Sequence, residues 1–289
     1  MKKPVARKKT PVRRKSRAKK KTSSFSGKRL RYGSIVFFIL FLFGTIYHYR
    51  DGLAYYFSFK SDKFLRERAE EKKMSDVRNF QVLHKHEDKV IGFDVSEFQG
   101  KINWTLVGKI EEDYPLGFVF IRATAGKDKV DSQFSRNWRG AKRRKIIRGA
   151  YHYYRPNENS LEQAELFIKT VELQKGDLPP VLDIEKLPKD QSVDSLKVGL
   201  RRWLKAVDKH YNMKPIIYTG ESYYNDFLKD EFSEYPFWIA NYNFFVEEID
   251  KKWLFWQFTE KASVPGIKGN VDVNIYNGTP KQLGYNTRN

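Results

Sequence analysis

From residue 90 to residue 276 the chain repeats one pattern eight times: a short apolar run closed by turn-forming or polar residues. The runs fall at 90–95, 117–123, 149–154, 179–184, 214–218, 236–241, 254–258 and 271–276. Runs of this length read as buried strands. Amphipathic helical patterns at 133–145, 160–173 and 192–211 separate several of them. The second opens with Ser160 followed by Gln163, and the third with Ser192 followed by Ser195, both capping signals. Eight strands interleaved with helices predict the α/β class and a parallel (β/α) TIM-like barrel. Few helical residues lie between the later runs, so its second half is expected to be irregular.

Such barrels carry their chemistry at the C-terminal ends of the strands. The fourth run, LPPVLDIE, ends in Asp183 and Glu185, which project to one side of a strand while Leu182 and Ile184 project to the other. Two carboxyls pressed together cannot both ionise cheaply, so one should titrate upward. That split suits an acid catalyst beside a stabilising carboxylate. In isolation the same D-x-E could simply begin a polar loop. Within a barrel, Asp94 ends the first strand and Asp272 lies in the last, so four acids would meet at one mouth. Tyr151, Tyr153, Tyr218, Trp238, Tyr242 and Gln257 fall at or near other strand ends. Rings and amides around an acidic centre suit a sugar polymer, although each aromatic taken singly is more often packing.

The net charge of +20 suggests a nucleic-acid binder until its distribution is read. Residues 1–31 hold 15 Lys or Arg and no acid, leaving only +5 for the rest. Behind this tail, residues 32–49 contain no Asp, Glu, Lys or Arg and have tyrosines at both ends. A helix of that length spans roughly 27 Å, close to the hydrocarbon thickness of about 30 Å, and predicts one transmembrane helix. A cleaved signal peptide and a buried helix are the alternatives; no small-residue cleavage site supports the first. The charge bias puts the basic tail in the cytoplasm, against anionic lipids, and the remainder across the membrane. Nucleic acid is not an expected partner. Residues 50–89 alternate charges and read as a solvated, partly helical spacer with too few apolar positions for a coiled coil. The catalytic body is expected to comprise residues 90–289 and to keep its activity when freed from the spacer.

The chain has no cysteine, which excludes disulfides, thiolate catalysis and a cysteine-based zinc site. Its five histidines lie at 48, 84, 86, 152 and 210, with no metalloprotease spacing. No metal or other cofactor is expected.

The motifs IGFDVSEFQG (91–100) with INW (102–104), FIRAT (120–124), GAYHY (149–153), LDIE (182–185), IYT (217–219), WIANY (238–242), WQF (256–258) and VDVN (271–274) occur in series. Together they resemble glycoside hydrolase family 25, the Chalaropsis-type lysozymes, over roughly residues 90–278. The resemblance implies a barrel that cleaves the β-1,4 bond between N-acetylmuramic acid and N-acetylglucosamine in peptidoglycan. By motif position Glu185 would be the general acid, and Asp94, Asp183 and Asp272 the other acids of the site. Arg122 and Asn274 would lie near the substrate with the residues named above. Two routes remain open, one assisted by the substrate's 2-acetamido group and one inverting through an activated water. A silent peptidoglycan-binding module and a hexosaminidase acting on related glycans are the competing functions.

Overall fold

A computed structural model describes residues 25–49, 66–110 and 114–288, which fall into two compact units divided after Asp51. The basic tail through residue 24, and residues 50–65 of the expected spacer, lie outside the described residues.

The first unit contains helix α1 (Phe25–His48). Its described side chains, 34–48, are exposed, Phe37, Phe38, Phe41 and Phe43 among them. Among the described residues no helix is long and apolar enough to cross a membrane.

The second unit runs through α2 (Arg66–Lys85), β1 (Val90–Val95), β2 (Lys109–Ile110), β3 (Tyr114–Ala125), β4 (Lys129–Val130), α3 (Phe134–Arg143), β5 (Ile147–Tyr153) and α4 (Ser160–Thr170). It continues with β6 (Val181–Asp183), α5 (Val193–Tyr211), β7 (Ile216–Gly220), the helical turn α6 (Glu221–Tyr223), β8 (Phe237–Ala240), β9 (Phe255–Ala262), β10 (Val271–Tyr276) and α7 (Pro280–Tyr285). Eight of the strands match the eight apolar runs. Strands β1, β3, β5, β6, β7, β8 and β9 pair in parallel in that order. Strand β10 closes the barrel between β9 and β1, antiparallel to both. This corrects the all-parallel expectation: residues 263–270 are too few to carry a crossover helix, so the chain must turn back. Strands β2 and β4 are short additions to β3.

Alternation along each strand builds two cores. Phe118, Phe120, Val181, Ile216, Trp238, Phe255 and Tyr276 pack inside the barrel. Phe93, Val119, Ile121, Leu182, Ile184, Ile217, Ile239 and Trp256 face outward and are covered by residues such as Phe167 and Trp203 of α4 and α5. Two inward positions must be glycine for the interior rings to fit: a Cβ on Gly92 would stand 2.5 Å from the Phe118 ring, and one on Gly149 2.6 Å from Phe120. Helix α5 is capped by Ser192, as expected, whereas the cap of α4 is Asn159, one residue before Ser160.

The expected solvated spacer is corrected at its C-terminal half. Helix α2 packs on β9, burying Val77, Arg78, Asn79, Val82 and Leu83, with His86 just beyond its end. His86 meets the Trp256 ring edge-on, and the Arg78 guanidinium lies 5.8 Å from the Trp256 ring centre and 5.9 Å from that of Phe258. The compact body therefore begins well before residue 90.

Candidate active site

The four acids meet at one end of the barrel. Strands β1 and β6 deliver Asp94 and Asp183 at their C-terminal ends, and the register pairs Asp94 with Asp272 across β1 and β10. Asp272 stands near the start of its strand rather than its end. Because β10 is reversed, that start lies at the same mouth. Beyond β6 the backbone is held by Ile184, whose N–H donates to the Tyr218 carbonyl at 3.0 Å, and by Tyr154, whose N–H donates to the Asp183 carbonyl at 2.8 Å. This fixes the direction in which Glu185 leaves the strand.

Depth separates the roles of the acids. Asp94 and Asp183 are buried, Asp272 is half-buried and Glu185 is exposed. Burial pushes the Asp94 carboxyl well up, and the adjacent Asp272 adds to the shift, against hydrogen bonds from Asn274 and Gln257 that oppose it. Asp272 rises to about 6, through burial first and then the charge of Glu260. Asp183 is pushed well up by burial, by the charge of Glu185 and by a hydrogen bond shared with Glu185. Its Oδ1 is buried and meets no donor among the described residues. The site thus holds two neighbouring carboxyl pairs, Asp94 with Asp272 and Asp183 with Glu185.

Behind Asp94 lies a layer of fixed donors. Its Oδ2 accepts from Gln257 Nε2 at 2.7 Å and from Asn274 Nδ2 at 2.9 Å. Each amide is oriented in turn. Gln257 Oε1 accepts the Tyr218 hydroxyl at 2.7 Å and also the Tyr242 hydroxyl, and Asn274 Oδ1 accepts Trp238 Nε1 at 2.8 Å. The expectation that Trp238, Gln257 and Asn274 contact substrate is corrected here. All three are buried, and the Trp238 ring stacks on Phe120 with centroids 4.5 Å apart. Their inward positions lie below the mouth, so they support Asp94 rather than line the opening.

Tyr151 and Tyr153 do line the opening, in a cavity of about 620 Å³ with Asp94, Asp183, Glu185 and Asp272. Tyr218 and the exposed Tyr242 line a second cavity of about 600 Å³, which also reaches Glu185. Glu185 therefore stands where two cavities meet. Arg122 borders the first cavity, but its guanidinium is already bound: Nε to Asp131 Oδ2 at 2.9 Å and Nη2 to Glu97 Oε1 at 3.2 Å, with the exposed Phe98 ring 4.7 Å away. Lys129, bonded to Glu97, holds that carboxyl down at about 2, so a fixed anion stands apart from the proton-holding acids.

Sequence reasoning missed Glu97, Phe98, Lys129 and Asp131. A signal for the first two was present: Ser96-x-x-Gln99 is a capping box, and it closes a tight turn directly after Asp94.

The raised carboxyls set the sign of the pH dependence. Unfolded aspartates titrate near about 3.9, so the folded chain binds more protons between that value and the raised ones. Stability from these groups is present in acid and is lost as pH rises through the folded values, about 6 for Asp272. Asp94→Asn should therefore raise the melting temperature at pH 7–8, with the gain vanishing near pH 4. The Asn oxygen can still accept from Gln257 and Asn274 while its NH2 donates to Asp272. A thermal melt at both pH values checks this; a lower melting temperature at pH 8 would contradict it.

Residues 93–267 match the family model described as glycosyl hydrolases family 25. The chain is 40% identical over 209 residues to the uncharacterized protein YegX of Escherichia coli (strain K12), covering 72% of this chain and 76% of that protein. It is 34% identical over 209 residues to lysozyme M1 of Streptomyces globisporus, covering 67% of this chain and 70% of that one. Among solved structures, the bacterial lysozyme of Streptomyces coelicolor superposes with a TM-score of 0.62 at 30% identity, over 69% of this chain and 97% of that one. The mouth of paired carboxyls thus belongs to a glycoside hydrolase, and the chain is a member of glycosyl hydrolase family 25.

Proposed function

We propose that the protein is a muramidase that hydrolyses the β-1,4 bond between N-acetylmuramic acid and N-acetylglucosamine in peptidoglycan. The observation that carries the reading is the place of Glu185: exposed, beside the buried Asp183, and lining both cavities. A polymer bound through both cavities brings a glycosidic oxygen to that carboxyl. Likeness to proteins named as lysozymes supports the same substrate.

In the mechanism we favour, the substrate's acetamido N–H donates to the unpartnered Oδ1 of Asp183. Asp183 then becomes the better anion, and its proton moves to Glu185. Glu185 gives that proton to the leaving oxygen as the C1–O bond breaks and the acetamido carbonyl oxygen bonds to C1. Asp183 stabilises the resulting cationic ring. Water then attacks C1 as the C1–O bond to the acetamido oxygen breaks and the acetamide re-forms, and Glu185, now the base, takes the water's proton, with net retention. Asp94 and Asp272 keep the floor of the site acidic, and Tyr151 and Tyr153 offer ring faces to the sugars.

We also propose that α1 anchors the enzyme at a membrane, with the basic tail cytoplasmic and the barrel on the far side. Support comes from the exposed apolar side chains between Ile35 and Tyr47 and the 15 preceding basic residues. Release of the full chain from membranes by carbonate without detergent would contradict this.

The functional reading is tested by digesting purified peptidoglycan with the full chain and reducing the products with borohydride. Muramitol at the new ends is expected. Glucosaminitol would make the enzyme a hexosaminidase, and no new ends would defeat the reading.

A further inference from the structure

Helix α2 lies outside the residues matched by the family model, yet it reaches the acid floor through a short chain of contacts. Arg78 is buried on its inner face. Its Nη1 donates to the Phe258 carbonyl, and Nη2 lies 3.4 Å from the carbonyls of Asn241 and Val246. Burial pushes the guanidinium down to about 10, against the opposing pull of Glu247. Lys85 holds the same loop from outside, pairing with Glu248 at 2.9 Å and Glu247 at 3.5 Å. The clamped segment between β8 and β9 carries Tyr242. The Tyr242 hydroxyl donates to Gln257 Oε1, and Gln257 Nε2 donates to Asp94 at 2.7 Å. Asn241, at the root of the loop, is fixed from the barrel side by Trp256 Nε1, which donates to its carbonyl at 3.0 Å.

We propose that Arg78 is a positioning residue for the active site: by clamping the β8–β9 loop from α2, it holds Tyr242 so that the Gln257 amide stays aimed at Asp94. The support of the active site therefore extends into a helix outside the residues matched by the family model. The functional consequence assumes the glycosidase reading above; the structural link does not.

The link predicts a direction. Donation by Gln257 favours the ionised form of Asp94, so a freed Gln257 lets the Asp94–Asp272 pair hold its proton to higher pH. The other groups facing this pair stay in place: Asp183 and Glu185 from the β6 end, Arg122 from β3, Tyr151 from β5, Tyr218 from β7 and Glu260 from β9.

The experiment uses the full chain with Arg78→Met, Arg78→Lys, Tyr242→Phe and the Met/Phe double variant, each assayed below its melting temperature. Arg78→Met should lower kcat by roughly ten- to a hundredfold with little change in KM. It should also move the acidic limb of the pH–rate profile to higher pH. Arg78→Lys should recover part of both effects, Tyr242→Phe should reproduce the shift, and the double variant should shift no further than either single. A lower melting temperature with wild-type kcat and an unmoved limb would reduce Arg78 to a structural role. Full additivity in the double variant would also overturn the proposal. If Arg78→Met does not fold, Arg78→Lys and Tyr242→Phe decide by the same readouts. Carboxyl NMR titration of Asp94 and Asp272 needs no turnover, so it tests the link even if the wild type cleaves nothing. An unmoved titration defeats the link, whereas an inactive wild type defeats only the functional reading.

Discussion

Replacing Glu185 with Gln should lower glycan cleavage by roughly a hundred- to ten-thousandfold, the usual range for removing a positioned acid, while the fold survives. Glu185 is exposed and lies beyond the end of β6, so an isosteric amide disturbs no core packing. It removes the transferable proton and leaves the residue's shape in both cavities. Binding of glycan should persist, and circular dichroism and the melting curve should match the wild type. The change should also alter Asp183, because the charge of Glu185 helps keep that carboxyl protonated. With a neutral Gln beside it, Asp183 should titrate at a lower pH than before. Retention of most activity by this variant would remove Glu185 from the acid role and direct attention to Asp272, the half-buried member of the four acids.

Starting the chain at Val90 should destabilise the barrel by on the order of 5 kcal/mol, because burial of a large apolar side chain contributes roughly 1.5–3 kcal/mol. Three such side chains, Val77, Val82 and Leu83, would be lost from the outer face of β9. Trp256 and Phe258 would lose the cover of Arg78. Against a typical total of 5–15 kcal/mol, the truncated body should be marginal, with a melting temperature lower by roughly 10–20 °C. A start near residue 66, which keeps all of α2, should restore the loss. Equal melting temperatures for the two truncations would show that α2 adds nothing, as the sequence reading of a solvated spacer implied.

That misreading has a physical origin. The buried stripe of α2 contains Arg78 and Asn79 among its apolar members, so its pattern resembles an exposed, charge-rich helix. A buried arginine bonded to backbone carbonyls looks, in sequence, like a surface arginine. By contrast, β1 and β10 were legible to the residue, because each run is bounded by polar or turn residues. Strand β6 is shorter than its apolar run, since Pro179 and Pro180 have no N–H to pair. The direction of β10 was not legible from periodicity, which is the same read forward or back; only the short link before it carried the information. The four acids were legible as a set because strand ends face one mouth. Depth was not, so Trp238, Gln257 and Asn274 read as a sugar-binding surface although they form the buried support of Asp94.

The most direct test of the paired-carboxyl account is the configuration of the first product. Proton NMR of peptidoglycan fragments during early digestion, before mutarotation, reports the anomer at the newly formed reducing end. Substrate assistance by the acetamido group with Asp183 and Glu185 predicts the β-anomer of N-acetylmuramic acid. The α-anomer formed first would contradict it and place an activated water, held by another of the mouth carboxylates, in the attacking role.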